Sequence, residues 1–98
     1  MVSGQLGLAD GSLVNGGVGA EVRQALANMA SLLEGEGASL ASVVKTTVFL
    51  THMSDSGPMN EAYMEAFGDH RPARAAVAVA GLPLSAKVEI EAWAYLPR

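Results

Sequence analysis

Ninety-eight residues, half of them hydrophobic but only 5% aromatic, imply a single domain spanning residues 1–98, with a thin, closely packed core of Ala, Val, Leu and Met. A net charge of -4, with only six scattered Lys and Arg residues, argues against nucleic acid as a partner, because phosphate binding needs clustered cations. The absence of cysteine excludes disulfides, thiol nucleophiles and Cys-ligated metal, and His52 and His70 lack metal-site spacing, so no metal is expected.

The first stretch, "VSGQLGL", reads as a strand, and "ADGS" supplies turn chemistry at Asp10-Gly11. From about Val18 to Glu34, residues Val22, Ala25, Leu26, Met29 and Leu33 recur at spacings of three and four, which predicts an amphipathic helix closed by Gly35 and Gly37. "GGVG" at 16–19 lacks the context of a phosphate-binding loop and reads as a hinge before that helix. "SVVKTTVFLTH" at 42–52 is β-branched and predicts a strand. A second helix follows, with Asp55 or Ser56 as N-cap, an early Pro58 and a stripe of Met59, Ala62, Tyr63, Ala66 and Phe67 ending at Gly68. After "DHRP" come an Ala/Val strand at 74–80, a "GLPLS" turn and the alternating strand "KVEIEAWAYL". The longest apolar run, 75–84, falls well short of the ~18 residues that span a bilayer, and no basic-then-apolar leader precedes it. The chain therefore reads as cytoplasmic, without a membrane partner.

The predicted class is α+β, in the order β-α-β-α-β-β, a mixed sheet with two helices on one face. Those helices are expected on the apolar faces Val44/Val48/Leu50, Val77/Val79 and Val88/Ile90. Alternation then leaves Lys45, Thr47, Phe49, Arg74, Ala76, Ala78, Glu89, Glu91, Trp93 and Tyr95 on a second face, too apolar for plain solvent and too charged for core. Another copy of the chain is expected to cover it. Arg74 heads an apolar strand, and a cation there needs an anionic partner: Glu89, Glu91 or the carboxylate of a ligand. A structural ion pair satisfies the same need. Glu89 and Glu91, ~7 Å apart on one strand face, suit two-carboxylate chemistry, although solvated strands often show that spacing. His52 and His70 fit solvated or capping roles, Ser3 has no identifiable base, and Asn60 lies off its helix's apolar stripe.

Together "VSGQ" at 2–5, "VVKTTVFL" at 43–50, "MNEAYMEAFGDHRPARAAVAVAGLP" at 59–83 and "VEIEAWA" at 88–94 resemble the RidA/YjgF family of reactive-intermediate deaminases over nearly the whole chain. The resemblance implies a chorismate-mutase-like fold assembled as a homotrimer, with the sheets facing a central barrel and sites at the subunit interfaces. It implies hydrolysis of 2-imino acids, such as 2-iminopropanoate and 2-iminobutanoate, to 2-keto acids and ammonia, without a cofactor. Residue by residue, Arg74 matches the arginine that clamps the substrate carboxylate and Glu89 the acid that orients or activates water. Ser3, Gly4 and Asn60 match pocket-lining positions. Ala76 stands where many members have Cys, at a position thought to act through its backbone carbonyl.

Members of that family usually carry a further N-terminal strand with an "IGPYSQ"-like motif, whose tyrosine lines the pocket. Here Met1 directly precedes "VSGQ", so the expectation is a short variant or a truncated chain, with an exposed sheet edge and one wall of the site open. A rival reading keeps the same cleft and Arg74 but makes the protein a non-catalytic binder of a small carboxylate metabolite. A ribonuclease reading, attached to relatives, is opposed by the acidic balance and the lack of a basic stripe.

Overall fold

The computed structural model describes residues 2–95. Helix α1 (Gly17–Gly35) buries Val18, Val22, Ala25, Leu26, Met29 and Leu33, the stripe predicted by their spacing. It ends in a Schellman turn, where the Ala38 N–H donates to the Leu33 carbonyl and the Gly37 N–H to Glu34, with Gly37 at φ 76°. Gly16 and Gly17, at φ 115° and 84°, form the left-handed entry to this helix. Helix α2 (Ser56–Phe67) buries Met59, Ala62, Tyr63 and Phe67, and Asp55 stands at its N-cap without a side-chain capping bond. Ala66, expected on the stripe, is exposed; the paired rings of Tyr63 and Phe67, 4.7 Å apart, fill that part of the helix's buried face.

Strands β1 (Val2–Gln5), β4 (Val43–Leu50), β5 (Ala73–Ala78) and β6 (Val88–Ala94) form one sheet in the order β1-β6-β4-β5. β4 and β5 are parallel, while β6 runs antiparallel to both β4 and β1. The sheet is thus mixed, as predicted, with β1 and β5 at its edges. Strands β2 (Leu8–Ala9) and β3 (Ser12–Leu13) make a separate small hairpin. Its two turn residues, Asp10 and Gly11, both have positive φ (53° and 82°), the backbone twist that a two-residue hairpin favours. Asn28 of α1 holds the hairpin by donating to the carbonyls of Leu6 and Leu8.

Both helices lie on one face of the sheet, and the buried residues form one cluster that includes Val43, Val48, Leu50, Val88, Ile90 and Ala92. The β6 alternation is as expected, but two strands depart from prediction. On β4, Val44 is 55% exposed while Val43 and Thr46 are fully buried. An irregularity between Val43 and Lys45 in the pairing with β6 resets the alternation there, as a bulge does. On β5, parallel pairing sets Arg74 beside Thr46, Ala76 beside Val48 and Ala78 beside Leu50, all on the helix side of the sheet. Val77, expected inside, is 41% exposed on the other face. The expected grouping of Arg74, Ala76 and Ala78 with Glu89 and Glu91 is therefore corrected. Alternation fixes which residues share a face, and only the pairing register decides which face that is.

Candidate functional site

The Arg74 neighbourhood is built by three elements. β5 carries Arg74 at the sheet edge, α2 supplies Asn60 and Tyr63 one helical turn apart, and β4 supplies Thr46 beneath them. The Tyr63 and Thr46 hydroxyls are 2.7 Å apart, and both residues are buried. A phenol in a core needs such a partner. Burial pushes the Tyr63 hydroxyl above its ordinary pKa of 10.0, opposed in smaller measure by the Thr46 hydrogen bond and by the positive charges of Arg74 and Arg71. The Arg74 guanidinium carbon lies 4.9 Å from the centre of the Tyr63 ring, within cation–π range. Its Nη1 donates to the Asn60 side-chain carbonyl. Ring and amide together fix the guanidinium plane while Nε and Nη2 have no partner among the described residues, which leaves donors for a carboxylate.

In front of this arginine lies a cleft of about 380 Å³ lined by Asn60, Tyr63, Met64, Arg71, Pro72 and Arg74. Among the described residues the one ion pair is Arg23 with Glu65, at 3.7 Å. Arg74 therefore has neither of the glutamates considered from the sequence as its partner.

Glu89 sits on the opposite face of the sheet, half-buried, where β6 sets it beside Phe49 of β4. Gly4 of β1 packs against it so closely that a Cβ there would collide with Glu89 Oε1. Ser3 is exposed beside Gly4, and its backbone carbonyl accepts from the Gln5 side chain at 3.0 Å. The six residues singled out from the sequence thus fall into two groups. Arg74, Asn60 and Ala76 belong to the helix side at the β5 edge; Ser3, Gly4 and Glu89 belong to the open face towards the β1 edge.

His70 has its Nε2 2.6 Å from the Val43 carbonyl, so that nitrogen carries a proton and donates; the residue ties β4 to the segment before β5. His52 is exposed beside Thr51. No group of three or more His, Cys, Asp or Glu suited to a metal occurs among the described residues, and no helix there is long and apolar enough to cross a membrane. Sequence reasoning treated Tyr63 as core and passed over Thr46 and Arg71. The signal for Tyr63 was available, since a tyrosine within an apolar stripe implies a buried hydroxyl that must find a partner.

Residues 1–96 match the family model described as Endoribonuclease L-PSP. The chain belongs to this family, which is also that of RidA. The chain is 46% identical over 93 residues to the human 2-iminobutanoate/2-iminopropanoate deaminase, covering 93% of this chain and 68% of that protein. It is 50% identical to the mouse deaminase of the same name, covering 93% of this chain and 69% of the relative. Among solved structures, RidA from an Antarctic Psychrobacter superposes with a TM-score of 0.91 at 41% identity, covering 96% of this chain and 77% of that one. Escherichia coli TdcF with bound serine superposes with a TM-score of 0.90 at 34% identity, covering 97% and 78%. The α+β architecture of this RidA-family chain is thus shared with solved relatives.

Proposed function

We propose that this protein hydrolyses reactive 2-imino acids to 2-keto acids and ammonia, at a site assembled from two copies of the chain. The observation that carries this reading is an arginine oriented by Tyr63 and Asn60, facing a cleft without a carboxylate partner of its own. Such a guanidinium is ready for the carboxylate of a ligand. The deaminase activity named for the human and mouse relatives and the serine held by TdcF support a small amino-acid-like substrate.

Arg74 anchors the substrate carboxylate and so sets the position of the adjoining imine carbon. Water adds to that carbon, a proton passes from the water to Glu89, and the carbinolamine formed expels ammonia as the C=O bond forms. Protonation of the imine nitrogen makes the carbon electrophilic enough for this route without a covalent nucleophile. Within one protomer Glu89 is on the wrong face to reach a substrate on Arg74. A second copy, its β1/β6 face laid against the β5 edge of the first, supplies it. Because the two half-sites lie towards opposite edges of one sheet, the contact is head-to-tail, which forms a ring where its rotation closes and a filament where it does not; a homotrimer is the ring proposed. The open face also carries Trp93, 51% exposed, and Val77, apolar surface that such an assembly covers.

The family description as an endoribonuclease is opposed by the net charge of -4 and by the absence of a basic stripe for phosphates. Capture of a carboxylate metabolite without turnover is the second reading, favoured by the separation of Arg74 from Glu89 within a protomer. The test is a coupled assay that generates 2-iminobutanoate, follows semicarbazide-trapped imine and keto acid, and compares wild type with Arg74→Ala at equal oligomer mass by light scattering. Faster imine loss with wild type and none with Arg74→Ala is expected. Identical traces from intact oligomers would eliminate the enzyme and leave the binder.

A further inference from the structure

Arg74 shares its cleft with a second cation. Of the six Lys and Arg residues in this acidic chain, Arg71 and Arg74 line the same cleft, and no Asp or Glu lines it. Neither has a carboxylate partner among the described residues. Both positive charges also act on the Tyr63 hydroxyl, as their shared place in the cleft requires.

Arg71 is held in place. Its Nη1 donates to the Gly68 carbonyl, just past the end of α2, and to the His70 carbonyl at 3.2 Å. Anchoring the carbonyls at a helix C-terminus is an ordinary structural role for an arginine. That role occupies one nitrogen of the guanidinium, however, and the Nε and Nη2 donors have no partner among the described residues. With the second copy's Glu89 engaged at the imine carbon, a monocarboxylate on Arg74 leaves Arg71 without a carboxylate of its own, whereas a ligand with two carboxylates gives each guanidinium one. An apolar side chain placed beside Arg71 would instead desolvate a cation without compensation.

We propose that the site prefers dianionic substrates: 2-imino acids whose side chain carries a second carboxylate, with Arg74 holding the carboxylate next to the imine and Arg71 the distal one. This rests on Arg74 being the carboxylate clamp. The bond changes are those already given: water adds to the imine carbon, ammonia leaves, and the product is a 2-keto dicarboxylate. A reaction that oxidises the amine of an acidic amino acid, or otherwise forms its imine, must supply such a substrate.

The stable keto products allow a test by calorimetric binding to the full chain. 2-Oxoglutarate is expected to bind wild type about tenfold more tightly than 2-oxobutanoate, the gain of one added charge-assisted contact. Arg71→Ala is expected to weaken 2-oxoglutarate far more than 2-oxobutanoate and so remove that advantage, Arg71→Lys to restore part of it, and Arg74→Ala to abolish binding of both. Equal wild-type affinities for the two ligands, with Arg74→Ala still losing both, would overturn the dianion preference and leave the clamp standing. Loss of both ligands in Arg71→Ala, with the variant folded by circular dichroism, would overturn it as well. Binding of neither ligand to wild type would remove the clamp and the preference together. The wild-type ratio decides the question even where Arg71→Ala fails to fold.

Discussion

Tyr63 serves Arg74 with its ring and Thr46 with its hydroxyl, so the two functions separate by mutation. Tyr63→Phe keeps the ring under the guanidinium but leaves the buried Thr46 hydroxyl without its partner, a loss of about 1 kcal/mol in urea unfolding. Tyr63→Leu also removes the ring face, so a rise in KM is expected with Leu and little with Phe. The same phenol makes stability pH-dependent. Its pKa is raised in the folded protein, so the unfolded chain ionises first, and its contribution is complete below pH 10 and lost as pH rises through the higher folded value. Unfolding curves between pH 9 and 11 are expected to fall less steeply for Tyr63→Phe. Gly4 tests the other half-site. The atom its missing Cβ would strike is the end of the Glu89 side chain, so Gly4→Ala is expected to displace that carboxylate, lowering kcat severalfold while the melting temperature changes little. An equal fall in both would place Gly4 in packing alone.

Between elements, Glu21 acts as a fastener. It is buried on α1, and its Oε1 accepts from the Lys87 backbone N–H at 2.8 Å, fixing the chain just before β6 carries Glu89 into the sheet. Glu21→Ala is expected to destabilise the protein by about 2 kcal/mol, the range for a hydrogen bond to a charged group. Glu21→Gln, which keeps an acceptor oxygen, is expected to lose less, and equal losses in denaturant midpoint would show that the acceptor is unimportant. The helices were legible because burial on one side imposes a 3.6-residue period over several turns, as with Val22, Ala25, Leu26, Met29 and Leu33. The orientation of β5 was not. Its Ala and Val residues differ too little in size for composition to choose an inside; the α2 crossover makes it parallel to β4, but its register is set by packing.

At the scale of the whole molecule, a site divided between copies predicts complementation. Arg74→Ala and Glu89→Gln proteins are each expected to be inactive. Refolded together in equal amounts, they are expected to recover about a quarter of wild-type activity, because in a closed ring one interface in four pairs an intact Arg74 with an intact Glu89. No recovery from mixed oligomers of normal mass would mean that the two residues do not share a site.

The amino-acid sequence by itself determined the two helices, the chain order of the four strands of the main sheet, the Asp10-Gly11 turn and the family, though not the short β2–β3 hairpin around that turn, since local periodicity, turn chemistry and motif spacing are properties of neighbouring residues. It also singled out Arg74, because an arginine heading an apolar strand demands a partner. Only the tertiary structure decided that Arg74 lies under α2 with Tyr63, Asn60 and Arg71, and that Glu89 lies across the sheet from it. Their separation depends on the β4–β5 register, which sets Arg74 beside Thr46 while β6 sets Glu89 beside Phe49, and that register is set by packing between elements rather than by residues adjacent in the chain.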